Sequence, residues 1–239
     1  MKRILLGLIL VIIYTSVFSQ EVQSTKKRVS ARKKRSYVAS QQINQLHEGV
    51  LLVRLMTRVN SIAALRKIGD SLKADKLEKQ QAAYNLSIIK AFRTNFDFCP
   101  SRFFLSGDSK YIIEGQFIKI GFLNDSLCLD TTIKFDSRNY FTAEFGTIEQ
   151  DTAQYFSHYT YDKKEDKSFE HKSNTYGGTN MGIAALVIKS DKLVQLKRPF
   201  PYYVRTSISH PAEDGLNQTV KKMNKKLHKF YKKKSKLSS

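Results

Sequence analysis

The chain has 239 residues, of which 41% are hydrophobic and only 2 are cysteine, a composition that suits one domain with a sizeable core. Its net charge of +20 is uneven: positions 20–35 hold seven basic residues and one acid, positions 221–239 hold nine and none, and 36–220 hold 23 basic against 20 acidic. So balanced a body disfavours a nucleic-acid-reading domain, whose basic residues line one face of the fold, and leaves two local contacts with anionic surfaces, or solubilising ends.

Residues 1–19 read MKRILLGLILVIIYTSVFS. Lys2 and Arg3 precede an apolar run too short for a comfortable membrane span, and Val17-Phe18-Ser19 offers a cleavage site. The expectation is a signal peptide and an exported protein, periplasmic or secreted. The alternative is a membrane anchor through residues 4–18, because the strong positive charge follows the apolar run and positive charge stays cytoplasmic.

Residues 20–40 have little apolar periodicity and are expected to form a basic disordered segment. The expected globular domain spans 41–215. Val50 to Leu55 reads as a buried strand, although Ile43, Leu46, Val50 and Val53 also share helical spacing. Asn60-Ser61 is a capping pair for a helix that Gly69 stops. The longest uninterrupted helix is expected at 70–95, with Leu77, Tyr84, Ile88 and Phe92 on its buried stripe.

NFDFCPSRFFLSG is aromatic-rich and predicts a strand; SKYIIEG predicts a short helix; FIKIGFL predicts a further strand. This order fits crossover units with a parallel core. Beyond 126 the chain predicts strands at TTIKF, YFTAEFGTI, AQYFSHYTY, GIAALVI and KLVQLK, the last two as a hairpin turning at Ser190-Asp191. The terminal segment 216–239 predicts a basic amphipathic helix and tail, because Leu216, Val220, Met223, Leu227 and Phe230 fall on one helical face among lysines. That stripe either docks on the core or lies on an anionic membrane or partner. The expected fold class is α/β or α+β: one domain with a mixed sheet, the long helix and the terminal helix. Thioredoxin-like folds are an analogy at the level of element order alone, since Cys-x-x-Cys is absent.

The stretches HEGVLLVRLMTRVNSIAALRKIGDSLKADK, AFRTNFDFCPSRFF and YFTAEFGTIEQD resemble those of uncharacterised exported proteins of the Bacteroidota type, over roughly residues 43–205. The resemblance implies the envelope of a Gram-negative bacterium; it implies no activity and no catalytic residue.

Cys99 and Cys128 are a candidate disulfide in an oxidising compartment, against two free thiols. Cys99 lacks a neighbouring base, which argues against a catalytic thiolate. His158 and His171 would pair directly across a hairpin turning at 163–166, a weak candidate metal site without a third ligand on the same face. His47-Glu48 lacks the second histidine of His-Glu-x-x-His. Glu144, Glu149 and Asp151 are a weak acid–base candidate. The Gly-rich stretch 176–182 precedes a strand and reads as a turn. Lys26, Lys27, Arg28, Arg32, Lys33, Lys34, Arg35, Lys232, Lys233 and Lys234 are candidate contacts to an anionic surface. Arg198, Tyr202, Tyr203 and Arg205 combine flat rings with guanidinium groups as a candidate recognition surface, against a bland reading in which the prolines shape a strand exit and the rings cap the core.

No cofactor is implied. A non-enzymatic binding or structural module of the cell envelope fits best, with basic ends on an anionic membrane, glycan or protein. An exported enzyme is the alternative, and a nucleic-acid binder ranks third.

Overall fold

The computed structural model describes residues 31–235 except 134, 136–138, 149–153, 163–166, 176–182 and 207–211, and of 154–175 and 235 the backbone alone. In chain order, helix α1 covers 31–48, followed by β1 (Val50–Leu55), α2 (Val59–Lys67), α3 (Ser71–Asn95), β2 (Ser101–Leu105), α4 (Ser109–Glu114) and β3 (Phe122–Leu123). Then come β4 (Tyr140–Ile148), β5 (Gln154–Asp162), β6 (Lys167–Thr175), β7 (Ile183–Lys189), β8 (Tyr203–Arg205) and α5 (Glu213–Ser235).

The protein is a mixed α/β domain. Six strands form one sheet in the order β3-β2-β1-β4-β7-β8, and β5 pairs with β6 as a separate hairpin. The expected parallel core is present: β1 runs parallel to both β2 and β4. Strands β3, β7 and β8 are antiparallel to their neighbours.

Alternation along β1 sends Leu51, Val53 and Leu55 to one face and Leu52 to the other. The first face packs against α1 (Ala39, Ile43, Leu46), α3 (Ile88, Ile89, Phe92) and α5 (Leu216, Val220, Met223, Leu227). The second is smaller: Leu52 and Phe104 meet Ile112 of α4, with Ile120 and Phe122 beside them. A sheet covered on both faces explains why β1 reads as an apolar run instead of a strict alternation.

The first correction concerns residues 31–40, expected to be disordered: they form the opening turns of α1. Arg32 to Arg35 are exposed, so composition alone reads as a solvated tail. What holds the helix is tertiary burial of Ala39, Ile43 and Leu46, spaced four and three apart. Ile43 and Leu46 thus follow the helical spacing, and Val50 and Val53 the strand reading, with Gly49 between. A Cβ at Gly49 would collide with the backbone oxygens of Asn139 and Gln45, so only glycine lets α1 turn into β1 this tightly.

Asn60-Ser61 lies inside α2, not at its cap. The capping position is Arg58, in the left-handed region (φ 51°) with no side-chain cap bond. By contrast Asp70 caps α3, its Oδ1 accepting from the Lys73 amide at 3.2 Å. On α3, Ile88 and Phe92 are buried as expected, but Leu77 and Tyr84 are half-buried and polar Gln81 and Asn85 take interior positions.

Three predicted strands are shorter or missing. Within FIKIGFL only Phe122–Leu123 joins the sheet, and Phe117–Lys119 is a 3-10 turn. Residues 131–133 and 135 of TTIKF are turn and irregular chain. KLVQLK contributes one bridge, Gln195 to Lys189, after a tight turn in which the Ser190 amide donates to the Val194 carbonyl at 2.8 Å. Leu193 takes a positive φ there, ending the extended run.

α5 docks its apolar stripe on the core, as the first of the two readings of that helix holds. A polar seam fixes its direction. Asn224 Oδ1 accepts from the amides of Asp97 and Phe98 at 3.3 and 3.2 Å, while Asn224 Nδ2 and His228 Nε2 meet Asp97 Oδ1 at 2.7 and 2.8 Å. Among the described residues, no helix is long and apolar enough to cross a membrane.

Candidate functional site

Two charged regions stand out. The first is built by sheet register. Val53 of β1 lies opposite Ala143, placing Arg54 beside Glu144 of β4. In the β4–β7 ladder Thr142 faces Lys189, so Lys189 sits diagonally across from Glu144 on the same face. Glu144 Oε2 takes Arg54 Nη1 at 2.6 Å, and Oε1 takes Lys189 Nζ at 2.7 Å. Arg54 Nε also donates to Ser109 Oγ at 2.8 Å, at the start of α4. Burial pushes the Glu144 carboxyl up, but Lys189 and Arg54 outweigh it and hold its pKa below the ordinary value. Each oxygen of this carboxylate is engaged by a cation, an arrangement that serves to hold strands together. Its expected companions Glu149 and Asp151 lie outside the described residues.

The second region joins the first and last described helices, α1 and α5. The N-terminal turns of α1 meet the C-terminal turns of α5: Lys234 Nζ donates to Ser36 Oγ at 2.6 Å. Further along, the ring of His47 stacks on Tyr231 with centroids 4.1 Å apart. Between these helices and the loop before β8 lies a cleft of about 750 Å³. Arg32, Arg35, Arg198, Lys233 and Lys234 line it, together with Ser36, Phe230 and Pro199, and among the described residues no acid contributes. Lys234 Nζ also stands 5.6 Å over the Phe230 ring.

The structure therefore brings together three groups that the sequence kept apart. Arg32, Arg35, Lys233 and Lys234 come from the two basic ends, and Arg198 from the candidate recognition surface. Lys33, Lys34 and Lys232 are exposed on the same helices. Lys26, Lys27 and Arg28 lie outside the described residues, as does the whole 1–19 segment.

The candidate recognition surface divides. Tyr202 is only 6% exposed and belongs to the core with Phe200, so it presents no surface; capping of the core, the bland reading, holds for these rings. Tyr203 is half-buried, meets the Tyr202 ring at a tilt with centroids 4.8 Å apart and accepts from Arg198 Nη2 at 3.1 Å, while Arg205 is exposed. The bond from Arg198 holds the Tyr203 hydroxyl below its ordinary pKa. Lys226 Nζ reaches the Tyr203 carbonyl at 3.1 Å and lies 5.6 Å from the ring centre, extending the basic surface along α5.

The candidate disulfide is not formed. Both cysteines are free thiols, Cys99 buried beneath the α1–α5 layer and Cys128 exposed in the loop after β3. They do not occupy facing positions in the sheet, which a bridge requires. Burial pushes the Cys99 thiol up to about 12, leaving it an inert core residue. His158 and His171 are direct partners in the β5–β6 ladder, as the hairpin register predicts. Their side chains, and the Gly-rich stretch 176–182, lie outside the described residues. Among the described residues no group of three His, Cys, Asp or Glu could hold a metal. His47 is occupied by ring contacts with Tyr231 and Phe98.

Sequence reasoning missed the Arg54–Glu144–Lys189 cluster, although a signal exists. Each is the lone charge in its strand: VLLVRL, YFTAEFGTI and IAALVIK. A single charge in each of several apolar strands demands mutual neutralisation once those strands pair. Compared with family models, curated proteins and solved structures, the chain matches none.

Proposed function

We propose that this protein is a non-enzymatic binding or structural module, exported to the cell envelope, whose joined basic ends contact an anionic membrane, glycan or protein surface. The observation that carries the reading is the cleft where Arg32 and Arg35 of α1, Lys233 and Lys234 of α5, and Arg198 line one concavity with no acid among the described residues. Cations gathered in one place attract a multivalent anion far better than the same charges dispersed, through a local potential that salt screens. The docked stripe of α5 makes the contact a surface one: Leu216 to Leu227 are committed to the core, leaving the lysines to engage the partner.

The test is binding to anionic vesicles and acidic polysaccharide across a salt series. Truncating α5 would remove buried Met223 and Leu227, so charge is removed instead with R32Q, R35Q, K233Q and K234Q combined. Binding falls with salt and is lost in the combined variant; binding that persists unchanged overturns the reading. Export is tested separately by fusing the intact chain to a reporter active only outside the cytoplasm, and an inactive fusion counts against it.

A further inference from the structure

Polar side chains on the buried stripe of a helix cost stability unless their polar atoms are used. On α3, Gln81 and Asn85 stand one turn apart and are 6% and 4% exposed. Asn85 has a structural duty: its Nδ2 donates to the Met56 carbonyl at 2.9 Å and pins the chain leaving β1. Gln81 Nε2 donates in turn to Asn85 Oδ1 at 3.1 Å. The direction of this relay is fixed by its inner end. A backbone carbonyl only accepts, so Asn85 turns its amide nitrogen to Met56 and its oxygen to Gln81. Gln81 answers with its own nitrogen, which leaves an acceptor, Gln81 Oε1, at the outer end. Among the described residues nothing donates to that oxygen, and it is not sealed in the interior.

Gln81 lines a cavity of about 750 Å³, within the ~300–1,000 Å³ of small-molecule sites. Thr57, just beyond β1, and Leu105, the last residue of β2, place it outside the carboxyl ends of two adjacent parallel strands. This is the general position of ligands in open α/β sheets. The helices α2 and α3, which connect those strands, form its sides. Each contributes an alanine, Ala63 and Ala82, and side chains this small leave space between the helices. Ile62 of α2, Leu105 and Leu127 of the loop after β3 make the rest of the wall apolar.

The charges at the cavity balance. Arg66 and Lys67 line it with Glu78, and Arg66 Nη2 pairs with Glu78 Oε2 at 2.7 Å and with the neighbouring Asp75 Oδ1 at 3.3 Å. Two cations thus meet two acids, and an occupant needs no charge of its own. An apolar wall with one inward acceptor selects an apolar body with one donor.

We infer that this cavity binds an uncharged small organic molecule, its apolar body between α2 and α3 and a single N–H or O–H group donating to Gln81 Oε1.

The experiment titrates the full chain with three probes. Indole has an apolar bicyclic body and one N–H; benzofuran has the same shape with an oxygen in place of that N–H; benzoate is an anionic counterpart. Binding is followed by indole fluorescence, which no tryptophan of the chain obscures, by calorimetry and by amide chemical shifts. Indole should saturate and bind about tenfold tighter than benzofuran, equivalent to ~1.4 kcal/mol, with benzoate weakest. Q81M removes the acceptor at similar side-chain volume and should lower indole to the benzofuran level while leaving benzofuran unchanged. A82L, at an exposed position, should abolish both by filling the space. In the unaltered chain, shift changes should concentrate at Ala63, Gln81, Ala82, Leu105 and Leu127, a readout independent of how either variant folds. The combined R32Q, R35Q, K233Q and K234Q variant should bind indole as the parent does, which separates this site from the surface contact. Absence of saturation, equal affinity for indole and benzofuran, shifts confined to other parts of the chain, or loss of indole binding in the combined variant would each overturn the assignment.

Discussion

The Arg54–Glu144–Lys189 cluster and the cleft at the chain ends use the same side-chain chemistry to opposite ends. In the cluster, an acid with 11% side-chain exposure lies within 2.7 Å of both cations, which are themselves largely covered. Desolvating these charges is costly, and only their mutual attraction and hydrogen bonds offset it. In the cleft, the lining charge has one sign and solvent surrounds most of it. There, solvation holds each charge at little cost, and the accumulated potential is directed outward. Charge in the first region holds strands together; charge in the second is available to a partner.

That contrast can be broken at several points. E144A should have the largest effect, about 4 kcal/mol of lost stability, because it leaves Arg54 and Lys189 covered without their counter-ion; chemical denaturation measures it. A loss below 1 kcal/mol would mean the cluster is as solvated as the cleft. L227A should cost about 3 kcal/mol by emptying a fully buried position, measured the same way. An unchanged midpoint would undo the docking of α5 and return its stripe to a membrane or partner.

Acid should act on the first region more than the second. The Glu144 pKa lies below its ordinary value of 4.5 in the folded protein. Its contribution is therefore complete above pH 4.5 and is lost as pH falls through the lower folded value. Thermal melts of the parent between pH 6 and pH 3 should show this decline, and E144Q should flatten it. The combined R32Q, R35Q, K233Q and K234Q variant should have the smallest effect on stability, within about 0.5 kcal/mol, while removing the binding to anionic surfaces. A large change in its melting temperature would mean that these cations support the fold instead.

Much of the fold was legible because local pattern and tertiary demand agree. The α5 stripe, the long helix capped at Asp70, the short helix Ser109–Glu114 ended by Gly115 and the His158–His171 register all follow from spacing and turn chemistry. Elsewhere local signals misled. Arg32 to Arg35 read as a disordered tail because the residues that anchor their helix, Ala39, Ile43 and Leu46, come later and bury against strands more distant still. Lys192 to Lys197 read as a strand, but the turn at Leu193 leaves one bridge. Tyr202 and Tyr203 read alike, but Tyr202, just before β8, is buried in the core while Tyr203, the first residue of β8, is half-buried.

The sequence by itself determined where charge is concentrated, which segments are apolar on one face, and that no cysteine or histidine motif of a familiar chemistry is present. Those properties depend on neighbours a few residues apart. Only the tertiary structure decided that two basic segments separated by almost the whole chain share one cleft, and that lone charges on three strands neutralise one another. Each of these depends on strand order and register, which arise from the packing of both sheet faces together and have no local signature.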